Sequence, residues 1–219
     1  VRRPGPGHGA PTLRLRDALR VPVFRAALGS NFANGWAVFG VRVAMMPLFV
    51  VEVLQRDASL AGVALTVFAV GNALVLMSSG RLSDRYGRRP FVLTGLVVCG
   101  VGTIGMGLTD NVPLFFVTSL VAGIGSGLLG PPQQAAVADV VGSKARGGPV
   151  LAAFQMTADV GAVIGPVVGG LLADNLSYGV AFTVTGVILL AAALPWALLA
   201  RTAPLGAVTE PAVTDDIRR

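Results

Sequence analysis

Four stretches of this chain carry no charged residue at all: 58–80, 90–109, 111–138 and 175–200. A helix needs about 20 apolar residues to cross the hydrocarbon core of a bilayer, and each stretch reaches that length. Two more, 26–51 and 147–173, carry one charge apiece, Arg42 and Asp159. A chain of 219 residues cannot bury six such runs inside a soluble core. Only 13% of its residues are charged, against roughly 25% in soluble domains. Membrane-spanning strands would need a closed barrel with alternating patterning, so the runs read as helices. The expected fold is an all-α membrane protein with transmembrane spans at about 26–51, 58–80, 90–109, 112–138, 148–173 and 177–200. A basic tail, 1–25, precedes them, and a tail rich in Pro, Thr and Asp, 202–219, follows.

The placement of charge predicts the topology. With segments assigned alternately to the two sides, one side receives Arg2, Arg3, Arg14, Arg16, Arg20, Arg25, the four arginines of 81–89, Lys144, Arg146, Arg201, Arg218 and Arg219. The other side receives Arg56 alone, and Arg42 lies within span 1. This is the positive-inside signature, and it puts both termini in the cytoplasm of an inner or plasma membrane. The net charge of +6 therefore reports topology and requires no nucleic-acid partner. Cys99 is the only cysteine and His8 the only histidine, so disulfides and Cys/His metal sites are excluded within one chain, and no cofactor is expected. Residues 1–25 lack a short apolar core followed by a cleavage site, so a removed signal peptide is not expected. The valine at position 1 fits an alternative start codon or a fragment.

A repeat is visible at an offset of 90 residues. GRLSD at 80–84 aligns with GLLAD at 170–174, and Val70-Gly71 aligns with Val160-Gly161. The offset carries spans 1, 2 and 3 onto spans 4, 5 and 6. Three is an odd number of crossings, so the second copy must be inverted, as in many secondary transporters.

The stretch GRLSDRYGRRP, 80–90, places five charges in eleven positions directly after the oily run 58–80. It resembles the loop motif G-x-L-[SA]-D-R-x-G-R-[RK] between spans 2 and 3 of the major facilitator superfamily, matching at Gly80, Leu82, Ser83, Asp84, Arg85, Gly87, Arg88 and Arg89. An ordinary positive-inside loop accounts for the arginines but not for Gly80, Asp84 and Gly87 at these spacings. The resemblance implies half of a twelve-helix fold, built as two inverted three-helix repeats, that moves a small-molecule substrate across a lipid bilayer. It also implies a cytoplasmic gate, in which the motif's aspartate meets the positive end of a helix in the other half. Gly80 is expected to allow close helix packing. Asp84 and Arg88 are four residues apart and pair if the helix continues, and Asp139 falls on the same side.

GAVIGPVVGG, 161–170, is similar to the G-x-x-x-G-P-x-x-G-G element of the family's drug:proton antiporter branches. Gly161, Gly165 and Gly169 form a ridge, with Pro166 beside it and Gly170 after it; a generic packing ridge of small residues is the alternative, but the full string is more particular than that. The family's span-4 pattern R-x-x-Q-G is broken here, because Ser119 and Ala122 stand before Gly123. Proton coupling through that arginine is therefore absent.

Charges inside spans are costly, by about 2.5–3.5 kcal/mol each on insertion scales, and usually face a cavity or each other. At 100° per residue, Asn31, Asn34, Arg42 and Met45 share one arc of span 1, and Gln155 and Asp159 share a face of span 5. These faces are the expected transport cavity, with Asp159 as proton or cation site and Arg42 as its partner. A purely structural ion pair is the alternative.

The resemblance covers 26–201, six of the family's twelve spans. The expectation is a secondary transporter that exports a small amphipathic solute by alternating access, completed by a missing second half or by a second copy of itself. The alternative is a truncated or half-length membrane subunit without transport of its own. No HExxH, GxSxG or phosphate loop is present, so an enzyme is not expected.

Overall fold

The computed structural model describes residues 15–142 and 147–199. Arg2, Arg3, Arg14, Lys144, Arg146, Arg201, Arg218 and Arg219, with most of both tails, lie outside these residues. A single helical turn, Leu15–Ala18, comes first. Six long apolar helices follow: span 1, Pro22–Glu52; span 2, Ser59–Tyr86; span 3, Arg88–Gly107; span 4, Val112–Val141; span 5, Gly148–Asn175; and span 6, Tyr178–Leu198. The described residues contain no strand. Span 2 runs six residues beyond the expected Gly80, so the whole GRLSDRY stretch is helical.

Local chemistry explains the ends. Asn111 and Ser177 are N-caps, their side-chain oxygens accepting from Leu114 N and Val180 N at 3.3 and 3.2 Å. Spans 1, 4 and 5 carry proline in their first turn, where its missing N–H leaves no bond unmade.

Span 1 packs along span 5, span 2 along span 4, and span 3 against both span 4 and span 6. Span 1 also touches span 6. Glycines set close helix crossings. Gly161 lies against the backbone of Phe32 and Trp36, and Gly35 against that of Ala158, so spans 1 and 5 meet with no side chain between them. Gly71 and Gly123 do the same for spans 2 and 4, against Leu120 and Phe68. Two apolar clusters fill the interior. One lies toward the Arg88 end, around Phe24, Leu96, Val137 and Trp196; the other holds Phe49, stacked on Phe115 and edge-on to Phe182 at 5.4 and 5.3 Å between centroids.

Two features depart from a uniform bundle. Spans 2 and 5 are the least buried, with 22% and 17% of their most apolar windows inside the protein. Within span 1, Gly35–Arg42 is π-helical, with i→i+5 bonds replacing i→i+4.

Candidate functional site

The charged stretch folds as a helix end, a break and a helix start. Gly87 makes the break: its φ of 91° and ψ of 147° lie where an L side chain is strained, so span 2 stops at Tyr86 and span 3 begins at Arg88. The helix does not continue through the motif, yet Arg88 still reaches Asp84, Nη2 to Oδ1 at 3.4 Å. Its Nη1 forms an ion pair with Oδ2 of Asp139 near the end of span 4. One guanidinium thus ties together the ends of spans 2, 3 and 4. Arg88 is 26% exposed, against 65% and 58% for the two carboxylates, so water screens both contacts.

Arg89 works differently. Its Nε donates to the carbonyl of Trp196 at 2.7 Å and its Nη2 to that of Ala197 at 3.1 Å. Both carbonyls belong to the last turn of span 6, where orphan acceptors and the negative end of the helix dipole favour a cation. The Trp196 indole in turn donates to Ser30 Oγ at 3.1 Å, so the motif is linked through span 6 to span 1. Arg85 lies over the Tyr86 ring at 5.5 Å, and Leu82 is exposed. Gly80 is not needed for packing within these six helices: a Cβ there would stand 3.7 Å from Pro131 Cβ, an ordinary contact.

The span-5 ridge faces span 1. A Cβ on Gly165 would stand 2.9 Å from the Trp36 carbonyl oxygen, and one on Gly169 would stand 3.2 Å from Val41 Cγ2. Pro166 Cδ is 3.2 Å from the place of a Cβ on Gly40, and Gly170 approaches Met45 only loosely, at 4.0 Å. The ridge therefore seats the π-helical segment of span 1.

The expected cavity face of span 1 does not form as a surface. Asn31 is buried and its Nδ2 donates to the Phe154 carbonyl at 2.6 Å, bridging spans 1 and 5. Asn34 is half-buried, with an Oδ1 that accepts no hydrogen bond. Arg42 is 1% exposed: its Nη2 donates to Thr103 Oγ1 at 3.0 Å, and its guanidinium lies 4.0 Å from the centroid of the Phe68 ring. A wheel drawn at 100° per residue fails here because the π-helical turn is wider, so each residue from 35 to 42 falls behind the α-helical phase.

The expected Arg42–Asp159 pair is also absent. Asp159 is exposed, and both ion pairs among the described residues belong to Arg88. Geometry explains it. Gly35 faces Ala158, and Gly40 faces Gly165, which puts Arg42 level with about residue 167, so Asp159 lies about eight residues away along span 5. At 1.5 Å per residue that is roughly 12 Å, beyond reach of a carboxylate. Gln155, also exposed, lines a cavity of about 180 Å³ with Gln134, Leu151 and Phe154.

Sequence reasoning missed the long-range partners of Arg89, Arg42 and Asn31, which lie 61 to 123 residues away. No local pattern points to them.

Six apolar helices, joined by a glycine break and clamped at one end by a shared arginine, make up a unit of a polytopic membrane transporter fold. The chain belongs to the Major Facilitator Superfamily, whose model matches residues 27–215. Its relatives include a multi-drug resistance efflux pump of Streptococcus pneumoniae, 29% identical over 185 residues that make up 83% of this chain and 44% of that protein. Multidrug resistance protein 2 of Bacillus subtilis is 28% identical, over 66% of this chain and 36% of its own length. An uncharacterized MFS-type transporter of Mycobacterium tuberculosis is 29% identical, over 70% and 29% respectively. A solved structure of a mutant peptide transporter POT in complex with sulfate shares the fold, with a TM-score of 0.73 at 20% identity, covering 86% of this chain and 42% of that one. The chain thus spans 29 to 44% of the length of these three relatives.

Proposed function

We propose that this chain is a six-helix half of a secondary transporter that exports a small amphipathic solute by alternating access. The observation that carries the gate is Arg88 held between Asp84 and Asp139. Exposed pairs of this kind are worth about 0–1 kcal/mol, weak enough to break in every cycle. Both carboxylates keep more than half of their side-chain surface open, free to meet the positive end of a helix in an apposed unit. Both termini lie on the cytoplasmic side with the gate. Asp159, exposed on span 5, is the proton or cation site.

A second six-helix unit completes the transporter, either a second half or a second copy of this chain. Apolar residues left open on span 2 (Val70, Leu74, Met77) and span 5 (Met156, Val163, Val167) support this reading. The internal repeat has matching support. Gly71 and Gly161, related by the 90-residue offset, both sit at backbone crossings, and so do Phe68 and Ala158 opposite Gly123 and Gly35.

The test is dye and drug accumulation in cells expressing the intact locus. Export should lower accumulation, and Asp84→Ala and Asp139→Ala should restore it at unchanged membrane abundance. Full export in both variants overturns the gate. The second reading is a half-length subunit without transport of its own, favoured by the 29 to 44% coverage of the relatives. No export of any dye or drug by the wild-type locus would leave that reading standing.

A further inference from the structure

Close glycine contacts divide the six helices into two groups. Gly35, Gly40, Gly161 and Gly165 bring span 1 onto span 5 backbone to backbone. Gly71 and Gly123 do this for spans 2 and 4, Gly95 and Gly125 for spans 3 and 4, and Gly107 and Gly179 for spans 3 and 6. Among the described residues, no glycine within a span has its nearest neighbours across the line between spans 1 and 5 and spans 2, 3, 4 and 6.

Side chains make the seam along that line. Phe49 of span 1 lies on Phe115 of span 4 and Phe182 of span 6. Arg42 donates to Thr103 of span 3, and Gln133 Nε2 of span 4 donates to the Ala27 carbonyl of span 1 at 3.1 Å. The chain's two tryptophans cross the seam reciprocally. Trp36 of span 1 donates its Nε1–H to Thr185 Oγ1 of span 6 at 3.1 Å, and Trp196 of span 6 donates to Ser30 Oγ of span 1 at 3.1 Å. All four side chains are buried. Each hydroxyl keeps its own proton on its own helix, Ser30 on the Ala26 carbonyl and Thr185 on that of Ala181. Parting the helices therefore breaks one bond per tryptophan and leaves both hydroxyl protons bonded. Backbone pressed on backbone cannot rearrange in this way, whereas packed side chains can slide and exchange partners.

We infer that the six-helix unit is two rigid bodies, spans 1 and 5 against spans 2, 3, 4 and 6, with the reciprocal tryptophans as the latch on the seam between them. The Arg88 gate lies wholly within the second body, on spans 2, 3 and 4, so the latch is a separate device. Its test is read on purified protein and does not depend on export.

Cys99, the only cysteine and fully buried, reports the seam. It stands one helical turn before Thr103, which takes the Arg42 bond and donates to the Cys99 carbonyl at 2.8 Å. The test follows maleimide labelling of Cys99 in the purified full chain in detergent, where the rate tracks the population of the open form. Trp36→Phe and Trp196→Phe each remove one N–H while keeping a ring, and each should speed labelling about fivefold. In a rigid-body opening both bonds break in one event, so the double variant should be about 25-fold faster. Asn31→Ala and Ser119→Ala remove bonds of the same kind inside a body, Asn31 to the Phe154 carbonyl and Ser119 to that of Ala64. These two should stay within about twofold of the wild-type rate even where the melting temperature falls. The inference is overturned if either tryptophan variant leaves the rate unchanged, if the double variant is no faster than the faster single one, or if Asn31→Ala or Ser119→Ala speeds labelling as much. Should a tryptophan variant fail to fold, Ser30→Ala and Thr185→Val break the same bonds from the acceptor side. The same multiplication is expected of that pair, and its absence overturns the inference.

Discussion

Gly40 and Gly165 meet backbone to backbone, so that a Cβ on Gly40 would stand 3.1 Å from the Gly165 Cα. This contact and that of Gly161 with Trp36 let span 5 lie flat on the π-helical part of span 1. Gly161→Ala would put a methyl 2.7 Å from the Trp36 nitrogen, and the facing atoms are backbone, which cannot turn aside. We expect a loss of about 1–3 kcal/mol, the usual cost of overpacking, read as a lower melting temperature in detergent. An unchanged melting temperature would refute the close crossing.

Gly80 and Gly87 should behave oppositely although they share one motif. Gly80→Ala meets only ordinary contact and removes backbone freedom from the unfolded chain, so stability should hold or rise by roughly 0.5–1 kcal/mol. Gly87→Ala forces a Cβ into a positive-φ conformation and should cost about 1–2 kcal/mol, with faster proteolysis between spans 2 and 3. If Gly80→Ala abolishes export while stability holds, the demand for glycine there comes from the apposed unit.

The Arg88–Asp139 pair is half in water. A double-mutant cycle on thermal stability should give a coupling of about 0.2–1 kcal/mol, falling with added salt. A coupling of several kcal/mol would show that the pair is far less solvated than its exposure implies.

Arg89→Ala removes the side-chain donors from two carbonyls of the last turn of span 6. The expected outcome is fraying, read as faster amide exchange over residues 196–198, with a loss of about 1–2 kcal/mol. Arg89→Lys keeps the charge but reaches one carbonyl at a time, so it should recover only part of the protection.

At the opposite end, Asp57 Oδ1 accepts from Ser59 N at 2.8 Å just before span 2. The bonds from Ser59 hold this carboxyl below its ordinary range. A depressed folded-state pKa stabilises above the unfolded value, near 3.9, and that contribution is lost as pH falls through the folded value. Asp57→Asn should therefore lower the melting temperature slightly at neutral pH and converge with wild type as pH falls below about 4, measured as melting temperature against pH.

The six spans were legible because lipid imposes a one-dimensional rule: about 20 apolar residues in a row and every backbone group bonded within its own helix. The motif at 80–90 was legible because a positive-φ glycine and charges at a helix end leave a local mark in the sequence. The cavity face of span 1 was not legible. Asn31, Asn34 and Arg42 share a stripe on an ideal helix, and nothing in their spacing announces the π-helical turn that carries Arg42 toward Thr103. The Arg42–Asp159 pairing failed for a related reason. Both are charges within spans, but which level of span 5 meets which level of span 1 is set by the glycine contacts.

The sequence by itself determined how many times this chain crosses a bilayer, where its charges gather and which superfamily motif it carries, because each follows from short-range composition and spacing. Only the tertiary structure decided what each charge does: Arg88 bridges two carboxylates, Arg89 caps a helix 107 residues away, and Arg42 is enclosed with no acid beside it among the described residues. Those roles depend on helix register and side-chain reach, which arise when glycine-lined helices close on one another.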